Sequence, residues 1–172
     1  ESGKVAAFVG SDNRNAGYVC GEDLVERKPD GGQVVIVENL NVNSVCERIT
    51  GFEEAVSKGA FEVVKRIQTG NDVSGLKQQV AQVLAQNPDL DAIMCGDDQM
   101  AEQVREAITE AGQEKVYVYS VDGSPASKKA LVEHTGGMMG IGAQSPINLG
   151  KKAVKIANAV LNEIGRASCR ER

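Results

Sequence analysis

Five side chains carry the chemistry this sequence offers: Arg48, Asn71, Asp97, Asp122 and Gln144. Carboxylates and amides accept hydrogen bonds from hydroxyl groups, while a guanidinium presents a planar fork of N–H donors to ring or hydroxyl oxygens. That inventory suits a neutral, polyhydroxylated small molecule. Each residue also has an ordinary structural use. Asp97 and Asp122 can cap helices, Asn71 can form a turn, and Arg48 can be a solvated helix residue. Position separates the two readings, because Asn71, Asp97, Asp122 and Gln144 all follow apolar runs, and Arg48 is expected in the first turn of its helix.

Catalytic constellations are absent from the sequence. There is no GxxxxGK[ST] phosphate loop and no GxSxG nucleophile elbow. Gly140-Ile141-Gly142-Ala143-Gln144-Ser145 starts like a dinucleotide fingerprint, but Ser145 stands where the last glycine belongs. His134, the only histidine, ends a short helical stretch, where it can meet the negative end of the helix dipole. The adjacent pair Asp97-Asp98 points two ways from a helix start, so one residue is expected to cap the helix and the other to face the crevice. Cys20, Cys46, Cys95 and Cys169 form no CxxC pair, and Cys20 and Cys95 lie in apolar stretches suited to buried, unpaired thiols. The reading is a binding protein with no metal and no cofactor, and not an enzyme.

The elements that must position these residues follow a repeated pattern. Six times, an apolar strand-like run stops at a polar or glycine cluster and a helical pattern begins beyond it. The runs cover residues 5–9, 34–37, 61–67, 92–95, 116–119 and 138–143. Val45, Ile49, Phe52 and Val56 share one helix face; so do Leu76, Val80, Val83 and Leu84, and Met100, Val104, Ala107 and Ile108. Ser124-Pro125 and Ser145-Pro146 each set a capping hydroxyl before a proline suited to the first helical turn. Strands and helices alternating in this way predict right-handed βαβ crossovers: an α/β fold with a doubly wound, mainly parallel sheet and helices on both faces. A helical bundle with apolar connectors is the competing reading, but the connectors are too β-branched and too regularly spaced for it. In a parallel sheet the clusters after the strands gather on one edge, where ligands of open α/β sheets bind.

Composition narrows the classes further. The 172 residues fit one α/β unit, with 41% hydrophobic residues, 3% aromatics, no tryptophan and a net charge of -5. No basic stripe exists for nucleic acid, and no run of 18 apolar residues exists to span a membrane. The chain opens at Glu1-Ser2-Gly3-Lys4 directly before a strand, as an excised middle or C-terminal piece would. Residues 163–172 resemble the translation of a sequencing adapter joined to a truncated reading frame. They are read as a non-native tail, with fold reasoning stopping near Asn162.

Four blocks occur together and in order: Gly10-Ser11-Asp12-Asn13 with Gly17, then Asn43-Ser44-Val45-Cys46-Glu47-Arg48-Ile49-Thr50-Gly51-Phe52, then Gly96-Asp97-Asp98-Gln99-Met100-Ala101, then Val121-Asp122-Gly123-Ser124-Pro125. This series resembles the type I periplasmic sugar-binding proteins, nearest to their ribose-binding branch, over nearly all of residues 3–162.

The resemblance implies two α/β lobes joined by three hinge crossings, with the sugar closed between them. Residues 1–12 would be the last strand of the N-terminal lobe and the first hinge, and 13–143 the C-terminal sugar-binding lobe. Residues 144–162 would be the second hinge and a helix returning to the N-terminal lobe. Most of the first lobe, the final strands and the third crossing would be missing. Arg48 matches the family's ligand-binding arginine, Asp97 a position of Asn or Asp, Asp122 the sugar-binding Asp and Gln144 a ligand-contacting Gln. Val121 and Asn71 stand where ribose binders often carry aromatic residues, so a hexose, polyol or inositol is as reasonable as ribose. The implied partners are a sugar or polyol, the ABC permease in the membrane and a chemoreceptor. The implied location is the periplasm, or the cell exterior as a membrane-anchored lipoprotein. The alternative is the ligand-sensing effector domain of a LacI-type transcription regulator, which shares this fold.

Overall fold

The computed structural model describes residues 6–170, with side chains up to residue 162. Val5 and the side chains of residues 163–172, Cys169 included, lie outside the described residues. The chain divides into two units, Asn13–Gln144 on one hand and the flanking segments Glu1–Asp12 and Ser145–Arg172 on the other.

The larger unit is an α/β layer structure. Its helices are α1 (Asn13–Arg27), α2 (Asn43–Val56), α3 (Leu76–Gln86), α4 (Asp98–Ala111) and α5 (Pro125–Glu133). Its strands are β1 (Gly32–Glu38), β2 (Phe61–Gln68), β3 (Leu90–Cys95), β4 (Tyr117–Asp122) and β5 (Met138–Ala143), ordered β2-β1-β3-β4-β5 with every pairing parallel. Residues Val34, Val35, Ile36 and Val37 of β1 are all fully buried, as a strand covered on both faces requires. Their alternation feeds two cores. Val35 and Val37 join Ile93, Cys95 and Val118 beneath α3, α4 and Ala130 of α5. Val34 and Ile36 join Ala92, Met94 and Tyr119 beneath Cys20 and Leu24 of α1 and Val45, Ile49, Phe52 and Val56 of α2. The helical faces read from spacing are therefore the faces that bury, and helices cover both sides of the sheet.

The strand order reverses once, as in a doubly wound sheet. From β1 the chain moves outward through α2 to β2, then crosses back through α3 to β3 and continues through α4 and α5 in the opposite sense. The order thus reverses between β1 and β3. Ligands of doubly wound sheets bind outside the carboxyl ends of the strands at such a switch point.

The smaller unit corrects one expectation. Residues 6–9 form no strand, and the sheet holds five strands rather than six. A lone extended segment satisfies its backbone groups only beside another strand, and residues 6–9 pair with none among the described residues. Instead, Ala6, Ala7 and Val9 line an apolar groove of about 580 Å³ with Ala153, Ile156, Ala157, Val160 and Leu161 of α6 (Pro146–Arg170). Phe8, Ile147, Val154 and Leu161 are largely exposed.

Candidate functional site

Arg48 stands at the switch point because α1 and α2 touch backbone to backbone. A Cβ on Gly17 would lie 1.8 Å from the Arg48 carbonyl oxygen, and one on Gly51 would lie 1.9 Å from the Arg14 carbonyl oxygen. Only glycine permits that approach. The contact fixes the Arg48 backbone over the sheet. α2 begins at Asn43, so Arg48 lies in the second turn, not in the first turn that the sequence suggested. Helical side chains lean toward the helix N-terminus, and this lean brings the guanidinium back to the strand ends.

There Arg48 is buried, 6% exposed, rather than solvated. Its Nε donates to Asn13 Oδ1 at 3.1 Å, one terminal nitrogen donates to the Gly96 carbonyl at 2.8 Å, and the other pairs with Asp122 Oδ1 at 2.8 Å. One side chain thus ties together the start of α1, the turn after β3 and the end of β4.

Asp122 keeps an exposed carboxylate in that brace, with 41% of its side chain accessible. Its backbone has a φ of +115°, and Gly123 follows at +83°. For a residue with a side chain, such a φ costs roughly 1–3 kcal/mol and persists only where the surroundings enforce it. Asp122 does not cap α5: Ser124 does, its Oγ accepting from the Ser127 N–H at 3.2 Å. Burial pushes the Asp122 carboxyl above its ordinary value, Arg48 pulls it back, and the neighbouring Asp98 and Asp97 add to the rise. The edge is therefore rich in acceptors, with the buried Arg48 guanidinium paired to the Asp122 carboxylate.

The adjacent acids divide their work. Asp97 caps α4, its Oδ1 accepting from the Met100 N–H at 2.9 Å. Asp98 turns to the β4–α5 connection instead, accepting from Ser120 Oγ at 2.9 Å and from the Ser124 N–H at 2.6 Å. Gln144 is half-buried beside Asp122, and its backbone N–H donates to the Asp122 carbonyl at 3.0 Å. Asn71 is exposed and does not join this cluster. Its Oδ1 accepts from Asn39 Nδ2 at 3.2 Å, while the turn at that loop is made by Asp72, which accepts from the Ser74 N–H. Asn71 follows β2 and Gln144 follows β5, and four strand spacings separate those strand ends by about 19 Å.

Two residues that the sequence reading passed over belong to the same edge. Asn39 is buried directly after β1, and Asn13 accepts from Arg48 while donating to Glu47 Oε2 at 3.2 Å. The rule of a polar residue just past an apolar run would have selected Asn39. Other expectations resolve simply. His134 is exposed at the C-cap of α5 with a φ of +51°, at the helix end remote from the strands' carboxyl edge. Val121 is fully buried in the core beneath α1 and α2. Cys20 and Cys95 are buried, unpaired thiols. Among the described residues no group of three His, Cys, Asp or Glu is disposed to hold a metal ion.

This geometry has relatives. The periplasmic binding protein domain matches residues 1–166. A ribose import binding protein of Escherichia coli K12 is 30% identical over 161 residues, 92% of this chain and 53% of that protein. The D-allose-binding periplasmic protein of the same organism is 33% identical over 158 residues, 90% of this chain and 50% of that protein. Among solved structures, an ABC transporter periplasmic solute binding protein from Actinobacillus succinogenes 130z with bound D-allose superposes with a TM-score of 0.82. It is 26% identical, and the match covers 91% of this chain and 56% of that one. The chain spans about half the length of the curated relatives it matches. A match running from residue 1 to 166, on a fold shared with a solute-binding protein, makes this chain a member of the periplasmic binding protein family.

Proposed function

We propose that this chain is the greater part of one lobe of a sugar-binding protein that serves an ABC importer, closing on its ligand by hinge motion. The observation that carries this reading is the Arg48–Asp122 brace at the switch point, with the Asp122 carboxylate left open to solvent. Residues 13–143 would form the lobe, with residues up to 12 as the first hinge and Gln144 opening the second, followed by a helix that returns to the other lobe.

In the closed state, sugar hydroxyls would donate to Asp122 and Asp97, accept from Arg48 and meet Gln144, with Asn71 and Asn39 toward the β1–β2 side. Ligand would then shift the open–closed equilibrium by its greater affinity for the closed form. The closed form would present the surface that a membrane permease, or a chemoreceptor, recognises. The named relatives bind ribose and allose. With Val121 in the core and a polar Asn71, this lobe offers polar groups rather than rings, which suits a hexose, polyol or inositol as well as a pentose. None of these relatives is a transcription regulator, so no observation favours the repressor reading. The periplasm is the expected location, free or as an anchored lipoprotein, and among the described residues no helix is long and apolar enough to cross a membrane.

The test is a thermal-shift screen of the two-lobed protein against pentoses, hexoses, polyols and inositols. A sugar at a hundredfold excess over its Kd adds about 2.7 kcal/mol to the folded state. An upward shift with one sugar, lost in Asp122→Ala, supports the reading. A shift that survives Asp122→Ala refutes the site, and no shift with any sugar refutes the function.

A further inference from the structure

Asp98 sits beside the site without reaching Arg48, and its two oxygens grip β4 on both sides of Asp122. Oδ1 accepts from the hydroxyl of Ser120, which is fully buried two residues before Asp122. Oδ2 accepts from the backbone N–H of Ser124, two residues after it. Between those two anchors the chain makes an unusual turn, with Asp122 at φ +115° and Gly123 at +83°. The turn aims Asp122 at Arg48, 2.8 Å away. A strained aspartate persists only where surrounding contacts enforce it, and the Asp98 clamp encloses the strained residue. The N-terminus of α4, where Asp98 is the first residue, favours a carboxylate at this position.

We infer that Asp98 is a positioning residue for ligand binding: it holds Asp122 in the conformation that meets both Arg48 and the ligand, and itself touches no ligand. This rests on the sugar-binding reading for its functional consequence. The geometric part stands separately.

A double-mutant cycle tests it in the two-lobed protein, titrated with D-ribose and D-allose. Asp98→Ala removes two charge-assisted hydrogen bonds, so affinity falls tenfold or more, at about 1.4 kcal/mol per tenfold. Asp98→Asn rescues it to within about threefold, because the amide oxygen still accepts from Ser124 N–H and the amide nitrogen donates to Ser120 Oγ. In an Asp122→Ala background, Asp98→Ala has no further effect. A full tenfold loss in that background means that Asp98 acts by touching ligand or by general stability, and overturns the inference. Should Asp98→Ala fail to fold, Ser120→Ala breaks half of the clamp, and the same cancellation by Asp122→Ala is required. A crystal structure of Asp98→Ala, or of Ser120→Ala if that variant alone folds, decides the geometry without ligand. Asp122 leaving φ +115° and parting from Arg48 supports the inference, and an unchanged turn overturns it. If the wild-type protein binds neither sugar, the sugar-binding reading fails on these probes and the crystal structure alone decides the role of Asp98.

Discussion

Gly17→Ala probes the link from packing to site most directly. The new Cβ would lie 1.8 Å from the Arg48 carbonyl oxygen and 2.6 Å from its carbon, where ordinary contact begins near 3.4 Å. α2 must retreat by about 1.6 Å, and backbone on both sides leaves no flexible side chain to give way. A shift of that size takes the guanidinium bonds, now 2.8 to 3.1 Å, beyond hydrogen-bonding range. Overpacking costs about 1–3 kcal/mol, here at the upper end, and the better helix propensity of Ala returns about 1 kcal/mol. The net loss is about 2 kcal/mol, which lowers a urea midpoint by roughly 1 M at a slope near 2 kcal/mol/M. Gly75→Ala is the control. Its Cβ meets only Gln79 Nε2, at 4.0 Å, with φ at -90°, so stability holds or rises by about 0.4–1 kcal/mol. Equal midpoints for Gly17→Ala and wild type would refute the backbone contact. A lost midpoint with unchanged sugar affinity in the two-lobed protein would refute its connection to Arg48.

Titration and reactivity give further expected outcomes. The folded-state pKa of Asp122 is raised above 3.8, chiefly by burial, so the native state binds its proton more tightly than the unfolded chain does. The stability from this group therefore falls as pH rises from the unfolded pKa to the raised native one, and is level outside that window. Asp122→Asn removes this slope in pH-dependent urea melts, and an unaltered slope would show that the carboxylate is not perturbed. Burial pushes the Cys20 thiol up to about 12 and Cys95 well above its ordinary value, so both resist a thiol reagent until the chain unfolds. Half-buried Cys46 reacts first among these three, and rapid native labelling of Cys95 would contradict the core packing. Tyr119 donates to Asp23 Oδ2 at 2.8 Å from a fully buried position, and burial pushes its phenol far up. An alkaline absorbance titration should therefore miss the Tyr119 phenol until unfolding.

Much of the fold was legible because periodicity reports burial. The run Val34-Val35-Ile36-Val37 lacks alternation, and the structure buries it from both sides. The spacing of Val45, Ile49, Phe52 and Val56 matches the face of α2 that packs on the sheet. Residues 6–9 form no strand here for a physical reason: β-branched and aromatic residues favour a strand, but a strand exists only with a partner, and the resemblance puts that partner in the other lobe. At the site, residue type located Arg48, Asp97 and Asp122 at one edge, yet could not say which oxygen serves which donor. The division between Asp97 as cap and Asp98 as clamp depends on where Ser120 and Ser124 fall, which is a matter of tertiary register. The positive φ of Asp122 left no mark in sequence beyond the glycine after it.

The brace has a consequence for how the site would work. Arg48 spends three donors on Asn13, Gly96 and Asp122, groups up to 109 positions apart in the chain, so the fold itself fixes the guanidinium. Immobilising such a side chain on binding costs about 0.5–1.5 kcal/mol, and here folding has already met that cost. Asp122, strained and aimed, is ordered in the same way. Under the proposed function, a ligand arriving at this edge would meet a rigid set of acceptors, and preference among sugars would follow from hydroxyl geometry rather than from induced rearrangement within the lobe. Motion in the proposed mechanism then belongs to the hinges, with residues 13–143 moving as a body. Arg48→Lys separates these ideas, since a lysine keeps the charge but has no fork to reach all three acceptors at once. If the lobe is preorganised by the fork, Arg48→Lys lowers sugar affinity and relaxes preference between ribose and allose together. Weakened affinity with preference intact would mean that charge alone matters at this position.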